Sequence, residues 1–137
     1  MTYYAVIDTN VLVSALLSKH SDSATVLLIE RMIIGDLIPV YSADTMKEYE
    51  EVLKRKKFKF DIKQIGYLLS AISCFGLMVE PSPTGEILPD MKDLPFYEVV
   101  MKKRQTDDAY LVTGNQKHFP NRPFIVTPKE MLDILNL

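Results

Sequence analysis

Tyr3-Tyr4-Ala5-Val6-Ile7-Asp8-Thr9-Asn10 is the stretch on which the reading of the fold turns. Its first five residues are apolar or aromatic with no polar alternation, the pattern of a strand covered on both faces. The run ends on a carboxylate, Asp8, and from Val11 to Leu17 the pattern turns helical. A buried strand that feeds a helix is the opening of a parallel α/β fold. An acid closing such a strand is costly to desolvate without a partner, which points to a functional group or to a helix N-cap.

Further along, a Ser/Asp turn at Ser21 to Ser23 precedes Val26, Leu27, Ile29, Ile33 and Ile34 at helical spacing, and Gly35 stands where that helix should stop. Leu37 to Tyr41 reads as the second strand. Ser42 is placed to cap a helix from about Ala43 to Lys57 whose apolar stripe is Met46, Tyr49, Val52 and Leu53. Glu48 falls on the flank of that stripe, where a carboxylate can face a cleft. Asp61 with Gln64 resembles a capping box for the next helix, which runs to Gly76, and Leu77 to Val79 reads as a short strand.

Pro81, Pro83, Gly85 and Pro89 then exclude regular structure and make a loop that delivers Asp90 and Asp93. Asp93 is expected to cap a helix from Leu94 to Lys103. Tyr110 to Thr113 is the next strand, ending at Gly114-Asn115. Phe124 to Thr127 is the last strand, and Thr127 with Glu130 forms a capping box for the final helix. The order predicts a three-layer α/β/α sandwich with a central parallel sheet, in one domain spanning 1–137. Ligands in such sheets bind beyond the carboxyl ends of the strands, where Asp8, Ser42 and Asn115 collect.

The 137 residues suffice for a single core that buries roughly two-thirds of the unfolded surface. Sixteen Lys and Arg against 18 Asp and Glu leave a net charge of −2, so bulk charge does not name a polyanion partner. Basic residues nonetheless bunch at Lys54-Arg55-Lys56-Lys57 with Lys59, and at Lys102-Lys103-Arg104. The single cysteine, Cys74, rules out an internal disulfide, and neither it nor His20 or His118 has zinc-ligand spacing. With no secretory pattern at the start and no apolar run of membrane-spanning length, a cytoplasmic protein is expected.

Asp8, Glu48, Asp90 and Asp93 come from four separate stretches of chain. Hard divalent cations prefer several oxygen ligands and keep positions open for water and phosphate, which suits such a set. Without a cation, clustered acids repel one another and their pKa values rise. Each acid also has an ordinary role: Asp93 as a helix cap, Asp90 as a turn residue, Glu48 as a solvent-facing charge.

Four blocks of sequence, in order, resemble the PIN-domain family and within it the VapC-like toxin components of toxin-antitoxin systems. These are Val6-Ile-Asp8-Thr-Asn-Val-Leu-Val-Ser-Ala15, the segment from Ser42 through Glu48 to Leu53, Asp90-Met-Lys-Asp93-Leu-Pro-Phe96, and Tyr110-Leu-Val-Thr113-Gly-Asn115-Gln-Lys-His118-Phe-Pro120. The resemblance implies a metal-dependent endoribonuclease using Mg²⁺ or Mn²⁺, with Asp8, Glu48 and Asp93 as core metal-binding acids and Asp90 contributing. It also implies an RNA substrate, a homodimer and a cognate antitoxin as partners, and no membrane. Many members carry a fourth acid where this chain has Asn115. An Asn can ligate through its carbonyl oxygen or hold a metal-bound water, but it brings no charge, so a one-metal site is expected. Asp107 and Asp108 fall before the strand, toward its opposite end. Asn10, Lys117 and His118 are the expected contacts to nucleic acid, with Lys117 and His118 better placed than Lys54 to Lys57.

Two other functions compete with this one. A non-catalytic PIN module binding RNA or protein through the same cleft is suggested by Asn115 and the net acidity. A phosphoacceptor signalling domain would also place an Asp at a strand end, but no acidic pair precedes Asp8 and no lysine closes the final strand.

Overall fold

The computed structural model describes residues 2–137. Strand β1 (Tyr3–Ile7) leads into α1 (Thr9–Leu17) and α2 (Ala24–Ile33). Next come β2 (Leu37–Tyr41), α3 (Ala43–Leu53), α4 (Ile62–Phe75) and β3 (Leu77–Met78). After a long loop, α5 (Leu94–Lys103), β4 (Ala109–Val112), β5 (Ile125–Val126) and α6 (Pro128–Leu135) complete the chain. The five strands form one sheet in the order β3-β2-β1-β4-β5, and every pairing is parallel. The α/β/α sandwich expected from the sequence is the fold observed.

Strand β1 lies at the centre because it is apolar on both faces. Ala5 and Val6 are fully buried, and Tyr4 through Ile7 pair in register with Ala109 through Val112. Across the sheet, α5 packs against β1, β2 and β4 through Phe96, Tyr97, Val99 and Val100, all fully buried. A second helical group is built around α2, which touches α1, α6 and β2. The chain winds from β1 outward to β2 and β3, then returns to the other side of β1 to form β4. The gap between β1 and β4 is therefore the place where winding reverses, the usual site of a ligand crevice in open parallel sheets.

Local chemistry sets the element ends. Ser42 accepts from the Thr45 N–H while the Thr45 hydroxyl accepts from the Ser42 N–H, and Thr127 with Glu130 repeats the device at α6. Pro39 is tolerated inside β2 because pairing with β3 begins one residue later, at Val40. At Gly76 any side chain would run into the backbone oxygens of Ile72 and Pro39, so glycine lets the end of α4 close down on β2.

Three expectations need correction. Helix α3 ends at Leu53, not near Lys57, because its apolar stripe ends there and Lys54 to Lys57 have nothing to bury. Asp61 caps α4 by accepting from the Lys63 N–H, one position short of the box expected with Gln64. Asp93 occupies the N-cap position of α5 but makes no capping hydrogen bond. A 3₁₀ turn over Met91–Asp93 precedes the helix, and Asp90 caps that turn by accepting from the Lys92 N–H at 3.0 Å.

Candidate active site

Asp8 leaves the end of β1 at 4% exposure, and its own N–H donates to the Val112 carbonyl of β4 at 2.9 Å. Although it holds the N-cap position of α1, its side chain caps nothing. It is held across the sheet instead. The Thr113 hydroxyl donates to Oδ2 at 2.8 Å, and the Asn10 amide donates to the same oxygen at 3.2 Å. Both side-chain donors thus land on Oδ2, and no side-chain hydrogen bond reaches Oδ1 among the described residues.

Asn10 is a brace as well as a donor. Its amide oxygen accepts from the Gly114 N–H at 3.1 Å, tying the start of α1 to the end of β4. Thr113, fully buried, also accepts from the Asn115 N–H at 3.0 Å, which fixes the backbone where Asn115 begins the next loop.

Glu48 arrives from α3. Its neighbour Tyr49 is buried against Phe96, with ring centroids 5.8 Å apart, and its hydroxyl donates to the Ile7 carbonyl at the end of β1. That contact sets the helix at a height where Glu48 Oε2 accepts from the Thr9 hydroxyl at 2.6 Å. The α5 end of the long loop supplies Asp90 and Asp93. The loop is pinned behind them by the Thr84 N–H donating to Glu98 at 3.1 Å, by Arg122 to Glu86 at 3.4 Å and by buried Leu88.

The four expected acids share one cleft, but among the described residues Asp8 and Glu48 stand outside the closer group that Asp90 and Asp93 form with His118. Asp8, Glu48, Asp90 and Asp93 line one open cleft of about 340 Å³, together with Asn10, Asn115 and His118. His118 Nδ1 lies 3.2 Å from Asp93 Oδ2, and Asp90, Asp93 and His118 each offer an atom within 4.8 Å of the others. Lys117 instead faces a neighbouring cavity beside Phe119 and Arg122. Asp107 and Asp108 sit with Tyr3 and Tyr4 at the amino end of β1, the far edge expected for them.

The electrostatics are those of acids only partly compensated by His118 and Arg55. Burial is the main cause that pushes the Asp8 carboxyl up to about 6, opposed by the Thr113 hydrogen bond and reinforced by Asp93 and Glu48. Burial also raises Glu48, with the Thr9 hydrogen bond and the Arg55 charge opposing it and Asp93 and Glu51 adding to it. Asp93 is raised by burial and by Asp90, and is drawn back down by His118. Asp8, Glu48 and Asp93 each have another acid of the cluster as a neighbour that disfavours their charge. A divalent cation with oxygen ligands fits this donor set, since it would remove the repulsion that the protein leaves in place.

Sequence reasoning missed Thr9, Thr113, Arg55, Phe58 and Lys92. The first two hold the acids and the last three line the cleft. A hydroxyl beside each acid in Asp8-Thr9 and after the strand at Thr113 was visible, but its partner is distant in sequence. Arg55 belongs to the basic run ranked behind Lys117 and His118, yet it is Arg55 that reaches the cleft and Lys117 that does not.

Comparison with known proteins agrees with this fold. A PIN domain family model matches residues 4–117. The crystal structure of PAE2754 from Pyrobaculum aerophilum superposes with a TM-score of 0.53 over 98% of this chain and 90% of that one. At 17% identity the likeness is one of fold. No curated protein matches the sequence. No helix among the described residues is long and apolar enough to cross a membrane. PIN domains are generally nucleases, and the match covers the segments that supply all four acids: the chain belongs to the PIN domain family.

Proposed function

We propose that this chain is a divalent-metal-dependent endoribonuclease acting as the toxin of a type II toxin-antitoxin pair. The observation that carries the reading is the convergence of Asp8, Glu48, Asp90 and Asp93 on one cleft, with the pKa values of Asp8, Glu48 and Asp93 raised. Asp8, Glu48 and Asp93 are the residues that would hold Mg²⁺ or Mn²⁺, and Asp90 and His118 stand beside Asp93 to complete the set. When bound, the metal supplies an activated water and offsets charge on the scissile phosphate.

The protein's part is positioning. Thr113 and Asn10 fix Oδ2 of Asp8 and leave Oδ1 without a side-chain donor. Thr9 orients Glu48. Asn115 lines the cleft without adding charge, which favours one metal over two. Arg55 and Lys92 give the acidic cleft a cationic rim that can meet phosphates on either side of the cut. Asn10 and His118 line the same cleft, while Lys117 would serve RNA only beyond it.

The test is cleavage of a mixed RNA substrate with Mn²⁺ by the wild type and by Asp8→Asn. Loss of cleavage in the variant is expected, and equal cleavage would trace the activity to a contaminant. The homodimer and the antitoxin are parts of the same proposal, supported by the family resemblance and tested by sizing the purified chain alone and identifying any small protein that co-purifies with it and blocks cleavage. A cytoplasmic site of action accords with the unpaired Cys74, which is exposed.

Asn115 supports one alternative, a module that binds RNA or protein through this cleft without cutting. Metal-independent RNA binding with no cleavage at any Mn²⁺ concentration would favour it.

A further inference from the structure

The basic run that follows α3 does not behave as a solvated helix face. Residues 54 to 60 read Lys-Arg-Lys-Lys-Phe-Lys-Phe, five cations and two aromatics with no acid, in a chain whose net charge is −2. Lys54 and Arg55 are paired with Glu50 and Glu51 at 2.8 and 3.0 Å. Lys56, Lys57 and Lys59 are exposed and make no ion pair among the described residues. Cations at a helix C-terminus answer its dipole, but that effect fades within the last turn and does not reach Lys59.

The backbone shows that the segment is built and not frayed. It leaves α3 through successive turns, with the Phe58 N–H donating to the Arg55 carbonyl at 3.1 Å and Lys59 N–H to Lys56 at 3.3 Å. Lys59 has φ of 55°, alone among the described non-glycine residues in the left-handed region. Glycine would adopt that conformation without strain, so holding a lysine there costs the chain roughly 1 kcal/mol and marks a defined turn.

The aromatics are arranged as well. Phe58 and Phe60 stack with centroids 5.2 Å apart and planes 7° from parallel, and the Lys57 ammonium lies 5.1 Å from the Phe58 ring centre. Phe58 and Arg55 both line the acidic cleft. Glu48 and Val52 lie one turn apart on α3, and Arg55, just past the end of the helix, lines the same cleft, so the turn leads away from the face that carries the acid. A flat aromatic beside lysines that make no ion pair is the chemistry that holds an unpaired nucleic acid strand: a base can displace the Lys57 ammonium from the ring, and phosphates meet the ammonium groups.

We propose that the turn from Lys54 to Phe60 is the rail along which single-stranded RNA enters the acidic cleft, with a base stacked on Phe58 and phosphates held by Lys56, Lys57 and Lys59. This rests on the ribonuclease reading for the identity of the strand, but it assigns a binding subsite outside the acidic cluster. Duplex RNA buries its base faces, so it can use the lysines but not the ring.

The experiment is fluorescence anisotropy with a labelled 12-nucleotide single-stranded RNA and its duplex, in EDTA so that nothing is cut. Wild type, the triple variant Lys56→Glu/Lys57→Glu/Lys59→Glu and Phe58→Leu are compared. The triple variant is expected to lose at least tenfold in affinity, and the slope of log affinity against log salt to fall by about 2, since each single-strand phosphate contact contributes about 0.7. Phe58→Leu is expected to lose about tenfold for the single strand and little for the duplex. The three lysines are exposed, so their reversal leaves the core untouched and circular dichroism should be unchanged.

Wild-type affinity and salt slope retained in the triple variant would overturn the proposal, as would tighter binding of poly-glutamate than of RNA. Turn-dependent RNA binding in a protein that never cuts RNA with Mn²⁺ would sink the ribonuclease reading and leave the rail standing. Cleavage with turn-independent binding would do the reverse.

Discussion

The hydroxyl of Thr113, at the end of β4, stands 2.8 Å from Oδ2 of Asp8, at the end of the neighbouring β1. It donates to a carboxylate that burial is pushing toward its neutral form. In Thr113→Val the donor disappears and the Asn115 N–H loses its acceptor, so the Asp8 midpoint should rise above the wild-type value of about 6. Carboxyl carbon NMR of the metal-free protein reads that midpoint directly. An unchanged midpoint would mean that burial alone sets the value. Stability should fall by about 1–3 kcal/mol for the unpaired backbone group.

Asp8→Asn should behave oppositely with pH. Below the ordinary value of 3.8 the Asp8 carboxyl is neutral folded or unfolded and costs nothing. As pH rises through about 6 the folded chain must ionise a buried group. The resulting penalty approaches about 3 kcal/mol at neutral pH. Asparagine escapes it. Urea denaturation of the metal-free proteins should therefore show the variant gaining on wild type between pH 4 and 7, and Mn²⁺ should narrow the gap by stabilising wild type more. A gap that does not widen with pH would refute the burial argument.

Thr9→Val keeps the shape of a buried side chain and removes the 2.6 Å bond to Glu48. The helix should stay, because Tyr49 still ties α3 to Ile7. What should suffer is the orientation of one carboxylate, with a loss of roughly 10- to 100-fold in metal affinity or cleavage, as for other groups that orient ligands. Isothermal titration with Mn²⁺ separates the two effects.

Asn115→Asp adds the charge that the family resemblance leads one to expect at this position. Equilibrium dialysis should find one Mn²⁺ per wild-type chain and a second, weaker one in the variant. Two ions in the wild type would show that His118, beside Asp90 and Asp93, already supplies the missing ligand.

Gly76→Ala tests the fold away from the cleft. The added methyl meets backbone oxygens from Ile72 and Pro39, neither of which is a flexible side-chain end. Overpacking of this kind typically costs about 1–3 kcal/mol. A thermal melt with an unchanged midpoint would mean that β3 yields at no cost.

How far the sequence could be read depended on the range of the interaction. Strands β1 and β2 were readable to the residue, since unbroken apolar runs bounded by Asp8 and Ser42 allow only one interpretation. Caps whose partners lie three residues away, Ser42 with Thr45 and Thr127 with Glu130, belong to the same class. The end of α3 was misjudged because charge does not end a helix; lack of anything to pack does. Asp93 was misread as a cap because local sequence could not show that a 3₁₀ turn would assign capping to Asp90. Thr9 and Thr113 were invisible as site residues, since their partners are 39 and 105 residues away. The resemblance named the acids but not the groups that hold them.

That last separation bears on the life of the chain before it is complete. Asp8 emerges from the ribosome long before Thr113, and the strand that will carry Thr113 must be inserted beside β1 before the acid is held. Glu48, Asp90 and Asp93 arrive in between, each on its own element. The winding order that puts β1 at the centre and β4 late therefore makes the bracing of Asp8 by Thr113, and of Asn10 by Gly114, one of the last contacts the chain can form.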